Sequence, residues 1–221
     1  MKQIFNILFL LIISISAVFS QDSNLVKYTP EYQFKDGIYV DFESFKTNNP
    51  ITNSTIVTNI PLNDIDFYNK LLEKDKISYY DDNGIKQTVE PKHLWGYSIH
   101  NIIHINYDGK FYRLPTIGKI SQFIASVTVI RTASDPYYGG GYYGGIGPST
   151  TYEDKETRHF LLDLENGGVY ENNYKTVEKL LISDKQIYDE YMALKKRKRK
   201  KLSYMYIKKF NDANPIYFPK N

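Results

Sequence analysis

The first twenty residues decide which part of this chain has to fold. Met1 and Lys2 give a charged start, residues 7–15 are almost all Leu, Ile and Phe, and the small residue Ser20 directly precedes Gln21. A charged start, a short apolar stretch and a small-residue cleavage site are typical of a secretory signal peptide. We therefore predict that residues 1–20 are a signal peptide and that the folded body begins at residue 21.

The same leader limits where the chain works. Its apolar stretch is too short and wrongly flanked for a stable membrane span. The cleavage site has no cysteine that would carry a lipid. The sequence therefore predicts an exported protein, periplasmic or extracellular, with no transmembrane segment after cleavage.

Residues 21–221 must fold without covalent crosslinks, because the chain contains no Cys. This length is sufficient for one domain with a sizeable core. Export without disulfides fits a bacterial envelope better than an animal secretory pathway. The 21 tyrosines favour half-buried sheets, since their rings bury apolar area while their hydroxyls reach water.

Two dipeptides indicate tight hairpins. Asn83-Gly84 and Asp108-Gly109 supply the positive backbone φ angles that a two-residue turn requires. With such a turn, the first hairpin places Asp81 opposite Lys86, a pair of opposite charges.

Longer apolar patterns complete the predicted fold. Residues 122–132 are apolar or small on both faces of a strand, which favours a central strand, and residues 160–164 are expected to return beside it. After a capping-box signature, a long helix is predicted over 184–210, with Met205 on its inward side. The fold class is therefore α+β, a mostly antiparallel sheet with hairpins covered by C-terminal helices, in a single domain over 21–221.

A Tyr/Gly-rich stretch separates the two long strands and is predicted to be a flexible loop over 133–157. It is too poor in branched apolar residues to pack. A solvated loop is the simpler interpretation, whereas a functional one is that its paired tyrosines stack on sugar rings or on a partner surface. The candidate binding residues are Tyr137, Tyr138, Tyr142 and Tyr143.

A run of seven bases covers almost two turns of the predicted long helix. Without it, the chain has more acidic than basic side chains, so its positive charge is a local feature. The simpler interpretation is a solvated helix; the functional one is a contact for lipid headgroups, acidic polysaccharide or nucleic acid. These candidate binding residues are Lys195, Lys196, Arg197, Lys198, Arg199, Lys200 and Lys201.

The histidines are weak candidates for a metal site. His100 and His104 would share a strand face, and His93 is a third possible ligand. The second hairpin, however, places His104 beside Arg113, a cation that disfavours a metal ion. We therefore predict no metal and no cofactor.

No catalytic residue is assigned either. The chain has no cysteine nucleophile and no G-x-S-x-G sequence. Asp163 and Glu165 follow a strand, but carboxylates before Gly167-Gly168 are typical turn formers. A pair of carboxylates that is distant in sequence stays open as an alternative.

Several short motifs occur along the body: Asp36-Gly37-Ile38-Tyr39, Phe42, Phe45, Asn49-Pro50, Leu94-Trp95-Gly96-Tyr97, Leu180-Leu181-Ile182-Ser183-Asp184, Tyr206-Ile207 and Phe210-Asn211. In order and wording they resemble a group of uncharacterised secreted proteins from Bacteroidota, a domain of unknown function. The resemblance spans most of the body and implies a host and a compartment, with no activity or catalytic residues to carry over. The Tyr/Gly-rich stretch is not part of the shared pattern.

These patterns favour a non-enzymatic binding or scaffold protein of the bacterial envelope. Its expected partners are an envelope protein, a glycan or an anionic polymer, and nothing in the sequence indicates specific nucleic-acid binding. The alternatives are a carboxylate-dependent hydrolase acting on glycans or peptides, and a structural or assembly subunit.

Overall fold

The computed structural model describes residues 24–134 and 149–220. The predicted signal peptide over 1–20 lies outside the described residues. The chain divides into an N-terminal unit, Met1–Asn101 with Pro215–Asn221, and a C-terminal unit, Ile102–Asn214. Its strands pair antiparallel and its longest helices follow the strands, which confirms the α+β class.

The N-terminal unit is built from short strands. In it β1 pairs with β12, β2 with β6, and β4 lies between β3 and β5, all antiparallel. Its elements are β1 (Leu25–Lys27), β2 (Gly37–Tyr39), α1 (Phe42–Lys46), β3 (Ile56–Val57), α2 (Phe67–Leu72), β4 (Ile77–Tyr80), β5 (Lys86–Val89), β6 (Gly96–Ile99) and β12 (Tyr217–Pro219), with 3-10 turns at Asn53–Thr55 and Pro91–His93.

Aromatic rings form the core of this unit. Phe45 is fully buried and stacks on Trp95 with a centroid distance of 4.2 Å. Phe34 stacks on another side of Phe45 at 5.5 Å, and Phe218 meets it edge-on at 5.5 Å. Because aromatic pairs in these geometries bury much apolar area, this cluster stabilises the unit without a covalent crosslink.

Asn48 organises the polar groups around that cluster. It follows α1 in the left-handed region, with φ of 49°, and is 1% exposed. Its Oδ1 accepts hydrogen bonds from the Lys35 backbone N and the Tyr39 hydroxyl, both at 3.0 Å. Its Nδ2 donates to the Tyr32 hydroxyl at 3.0 Å. Asn48 therefore fixes the end of α1 against Tyr39 of β2 and Tyr32 of the segment between β1 and β2.

The first predicted hairpin forms with a different register. Tyr80, not Asp81, is opposite Lys86, so the pairing of Asp81 with Lys86 was wrong. The Asp81 carboxylate accepts hydrogen bonds from the backbone N of Asn83 and of Ile85, at 3.0 and 2.9 Å. These bonds stabilise a turn of three residues where two were predicted, so the pairing of β4 with β5 is shifted by one residue.

The C-terminal unit combines a hairpin, a three-stranded sheet and three helices. The sheet order is β11-β10-β9, and β7 pairs with β8. Its elements are β7 (Ile102–Tyr107), β8 (Lys110–Arg113), β9 (Ile120–Ser134), β10 (Ser149–Asp163), β11 (Val169–Glu171), α3 (Tyr174–Leu181), α4 (Lys185–Met192) and α5 (Lys196–Ala213).

The strands β9 and β10 form a two-stranded ribbon longer than the sequence indicated. They pair from Ile120 with Asp163 to Ser134 with Ser149, so a loop over 133–157 was wrong at both boundaries. β10 lies between β9 and β11, and β9 is therefore not the middle strand of this sheet. The second apolar face of β9 is exposed to solvent at Ile130, whose exposed fraction is 72%.

The predicted single helix over 184–210 was also wrong, because α4 ends at Met192 and α5 begins at Lys196. The Tyr191 hydroxyl lies 3.1 Å from Ser203 Oγ, and its ring is 4.9 Å from that of Tyr206. Residues twelve positions apart in one straight helix would be about 18 Å apart. The chain must reverse at residues 193–195 to make these contacts.

That reversal changes which side of α5 is buried. Ile207 and Phe210 are fully buried and Tyr206 nearly so, whereas Met205, predicted to point inward, is 49% exposed. Tyr206, Ile207 and Phe210 join a core that includes Leu161 of β10 and residues of α3 and α4. No helix within the described ranges is long and apolar enough to span a membrane.

Candidate functional site

The basic segment, residues 195–201, forms the start of α5. Lys195 has an extended backbone and precedes the helix, and Lys196 is its first residue. The helix carries no acidic residue in its first turn, and no side chain caps it. The six bases from Lys196 to Lys201 therefore occupy about 1.7 turns at the helix N-terminus, and Lys195 directly precedes them.

Three of these bases face α3 within the same unit. Lys196 Nζ, Arg199 Cζ and Lys200 Nζ lie 5.4, 5.9 and 5.6 Å from the centroid of the Tyr174 ring. The Arg199 guanidinium also forms an ion pair with Glu178, and its side chain is 16% exposed. These contacts give Lys196, Arg199 and Lys200 a structural role, since cations stabilise helix packing when they lie over an aromatic ring.

Three other bases point the opposite way. At about 100° per residue, Arg197, Lys198 and Lys201 lie on the side of α5 opposite its buried stripe, and all three are exposed. Within the described residues, none of them forms an ion pair or a side-chain hydrogen bond. We call Arg197, Lys198 and Lys201 the outward basic face.

Two bases elsewhere on α4 and α5 are paired with acids. Lys185 contacts Asp189 at 2.6 Å, and Lys209 forms an ion pair with Glu190. The outward basic face is therefore distinguished from these neighbours by its lack of carboxylate partners in the described part of the chain, and its charges are available to an external anion.

The position of these bases opposes helix electrostatics. A helix N-terminus carries partial positive charge, so cations there destabilise the helix and anions stabilise it. The carboxylate of Asp184 follows this rule at α4, and α3 is capped by the neutral amide oxygen of Asn173. At α5 a bound anion would be attracted by the backbone dipole and by the side chains together.

The outward side of α5 continues beyond the basic segment. Tyr204 is 63% exposed, Met205 is exposed, and Lys208 follows one turn after Tyr204. From Arg197 to Lys208 the surface extends about 16 Å. This surface presents an aromatic ring between basic side chains. The sequence analysis missed this combination because it predicted one helix with Met205 on the inward side.

The other candidate residues have different outcomes. Tyr137, Tyr138, Tyr142 and Tyr143 lie outside the described residues, so their binding role stays a prediction.

His100 has φ of 50° and lies in the turn before β7. The prediction that it shares a strand face with His104 was therefore wrong.

The predicted register of the second hairpin is confirmed, because His104 pairs with Arg113. Burial and the nearby Arg113 lower the pKa of the His104 imidazole. In the residues that the structure describes, no three His, Asp or Glu side chains converge in a way that would hold a metal ion.

The carboxylates at the end of β10, Asp163 and Glu165, lie at a turn. Asp163 Oδ1 accepts a hydrogen bond from the Glu165 backbone N at 2.9 Å. The Glu165 carboxylate lies 3.3 Å from Lys119 Nζ. Each acid is used in local structure, as the sequence indicated for residues before two glycines.

A ladder of ion pairs crosses one face of the ribbon. Arg131 contacts Asp154 and Glu156, and Arg158 contacts Glu156 and Glu171. The cross-strand register brings these residues together from positions far apart in the sequence. Each of these two guanidinium groups has two acidic neighbours, so neither is free to bind an external anion.

A cleft of about 540 Å³ lies beside this ladder. Its lining includes the Tyr107 ring, which is 4.4 Å from Phe160, together with Val127 and Arg158. Because Arg158 is already paired with acids, the cleft is a weaker anion site than the outward basic face.

Comparison of the chain with family models, curated proteins and solved structures found no match.

Proposed function

We propose that this chain is an exported binding protein of the bacterial envelope that holds an acidic polysaccharide on the outward basic face of α5. The observation that carries the proposal is that Arg197, Lys198 and Lys201 are exposed and have no carboxylate partner among the residues the structure describes. They lie at a helix end that itself attracts anions.

The arrangement of α5 favours a polysaccharide over a lipid bilayer. A helix that lies in a membrane surface inserts its apolar side between the lipids. The apolar side of α5 is already buried, with Ile207 and Phe210 fully covered. On the outward side only Tyr204 and Met205 are apolar, whereas an exposed tyrosine ring between bases suits the face of a charged sugar.

The compartment and host are part of this proposal. The leader over residues 1–20 and the absence of cysteine support export into a bacterial envelope. The short motifs that resemble secreted Bacteroidota proteins support a host in that group. Acidic polysaccharides are a component that an exported envelope protein would meet.

Retention on a heparin column tests the proposal. The chain beginning at residue 21 would be compared with a triple variant carrying Arg197→Gln, Lys198→Gln and Lys201→Gln. We expect the unmodified chain to elute at clearly higher salt, because each removed charge weakens an ionic contact. Retention that persists unchanged in the triple variant would overturn the proposal.

A matched control separates a local site from net charge. Lys27, Lys86 and Lys110 are exposed bases on β1, β5 and β8, with no ion pair in the described part of the chain. Changing these three lysines to Gln alters net charge equally, and we expect retention close to that of the unmodified chain. Equal losses in both triple variants would indicate nonspecific attraction.

Vesicles that contain phosphatidylglycerol provide the comparison with lipid. We expect heparin oligosaccharides to displace the chain from such vesicles. If the chain stays bound to vesicles in excess heparin, an anionic lipid surface replaces polysaccharide as the partner.

A further inference from the structure

The N-terminal unit contains an open cleft of about 530 Å³ beside its first hairpin. One side consists of the chain after α1, including Asn49 and Pro50. The other side is the end of β4 and the turn after it, including Tyr79, Tyr80 and Asp82. We call this the hairpin cleft; its volume lies within the range of small-molecule sites.

Two tyrosine rings line the hairpin cleft. Tyr80 is 48% exposed and Tyr79 is half-buried. Burial, with smaller effects of the Asp81 and Asp41 carboxylates, raises the pKa of the Tyr79 phenol, so its hydroxyl stays protonated and able to donate. The cleft therefore offers aromatic surface together with phenolic donors.

Several polar side chains in the cleft have no protein partner. Asp81 is fully used within its turn, since its carboxylate accepts from two backbone N–H groups and from Gln87 Nε2 at 2.9 Å. By contrast, in the described part of the chain the side chains of Asn49, Asp82 and Tyr80 make no hydrogen bond. These groups supply an amide, a carboxylate and a hydroxyl to a ligand.

The charge of the lining restricts what that ligand is. Asp81 and Asp82 line the cleft, and none of the residues that line it is basic. Anionic ligands are therefore disfavoured by like charge. Pro50 and Ile51 add apolar surface next to the rings. A neutral molecule with many hydroxyls and apolar C–H faces matches this combination of groups.

We propose that the hairpin cleft binds neutral sugar units of a glycan. Tyr80 stacks on one sugar ring, while Asn49 and Asp82 hydrogen-bond its hydroxyls. Unlike the outward basic face, the hairpin cleft disfavours anions, and none of its residues belongs to the site proposed above.

Saturation-transfer NMR on the chain beginning at residue 21 tests this site. The probes are cellotetraose, maltotetraose, chitotetraose and mannotetraose, with a heparin tetrasaccharide as the acidic comparison. We expect at least one neutral probe to bind, and Tyr80→Ala to weaken it about tenfold through the lost ring contact. Tyr80→Phe, which keeps the ring, is expected to stay within about threefold.

Two further variants make the test specific. Asn49→Ala is expected to weaken the same probe, because it removes an amide from the opposite side of the cleft. Tyr152→Ala is the matched control, since Tyr152 is 51% exposed on the ribbon of the other unit, and it is expected to leave binding unchanged.

Three results would overturn the proposal. They are no binding of any neutral probe at millimolar concentration, equal binding by the Tyr80→Ala chain with a native amide spectrum, and equal loss in Tyr152→Ala. Heparin retention reports on α5 alone, so failure of either proposal leaves the other measurable.

Discussion

The side chain of Asn211 on α5 holds both backbone polar groups of Ile120 at the start of β9. Asn211 Oδ1 accepts from the Ile120 N at 2.8 Å, and Asn211 Nδ2 donates to the Ile120 O at 2.8 Å. Ile120 is 1% exposed. On the edge of β9 that faces away from β10, the amide therefore satisfies the backbone groups that a further strand would otherwise bind. It also ties the helix that carries the outward basic face to the sheet.

Asn211→Leu should destabilise the C-terminal unit by about 2–6 kcal/mol. The substitution leaves a buried donor and a buried acceptor without partners, at about 1–3 kcal/mol each. Urea unfolding followed by circular dichroism measures the change. Asp212→Ala, at the exposed next position, is the control and should change stability little. A loss equal to that of the control would contradict the role of Asn211.

Gly118 is expected to be required by the same contact. A Cβ at Gly118 would lie 2.5 Å from Asn211 Nδ2, and the amide cannot move away without breaking its bonds to Ile120. Gly118→Ala should therefore cost about 1–3 kcal/mol. In an Asn211→Ala background the same change should cost much less, and strictly additive losses would contradict this coupling.

Local turn chemistry was predictable where no side chain competed with it. Asp108 and Gly109 both have positive φ, and the register of their hairpin is the one that the dipeptide indicates. At Asn83 the same signal gave the wrong register. The Asp81 carboxylate captures nearby backbone N–H groups, a competition that the turn signature does not include.

The break before α5 was not predictable from local pattern. Residues 193–195 contain neither Gly nor Pro, which are the usual signals for the end of a helix. The reversal there is accompanied by contacts of Tyr191 with Ser203 and Tyr206. The candidate bases were visible in the sequence, but their division into inward and outward groups depends on that reversal.

Asp184 gives a pH-dependent test of the α4 cap. Hydrogen bonds from Asn214 Nδ2 and from the Ile187 N lower the pKa of the Asp184 carboxyl. A lowered pKa stabilises the fold above the unfolded value of about 4, and this stabilisation is lost as pH falls through the folded value. Asp184→Ala should therefore lower the thermal midpoint at about pH 7.

The gap between the two midpoints should narrow as the pH falls from about 7 to about 3, because below about pH 4 the unfolded carboxyl takes up its proton while the folded one resists it. Thermal scans at both pH values measure this difference. A gap that stays the same size under acidic conditions would contradict the contribution of the ionised cap.

His104 gives a second titration with the same direction of proton binding, at higher pH. Burial and Arg113 lower its pKa, so near pH 6 the unfolded chain binds more protons at this residue and the fold loses stability as pH decreases. Arg113→Gln should raise the pKa of His104 toward its ordinary value. NMR titration of the imidazole measures the shift, and an unchanged pKa would assign the whole effect to burial.

The salt dependence of heparin binding tests the central claim most directly. Dissociation constants of a labelled heparin oligosaccharide would be measured over a range of salt concentrations. For the triple variant of Arg197, Lys198 and Lys201, we expect the slope of log Kd against log salt to fall by about two to three, as expected for three lost ionic contacts. The control triple variant of Lys27, Lys86 and Lys110 should keep the original slope. Equal slopes for the unmodified chain and the triple variant of α5 would show that the outward basic face does not hold the polymer.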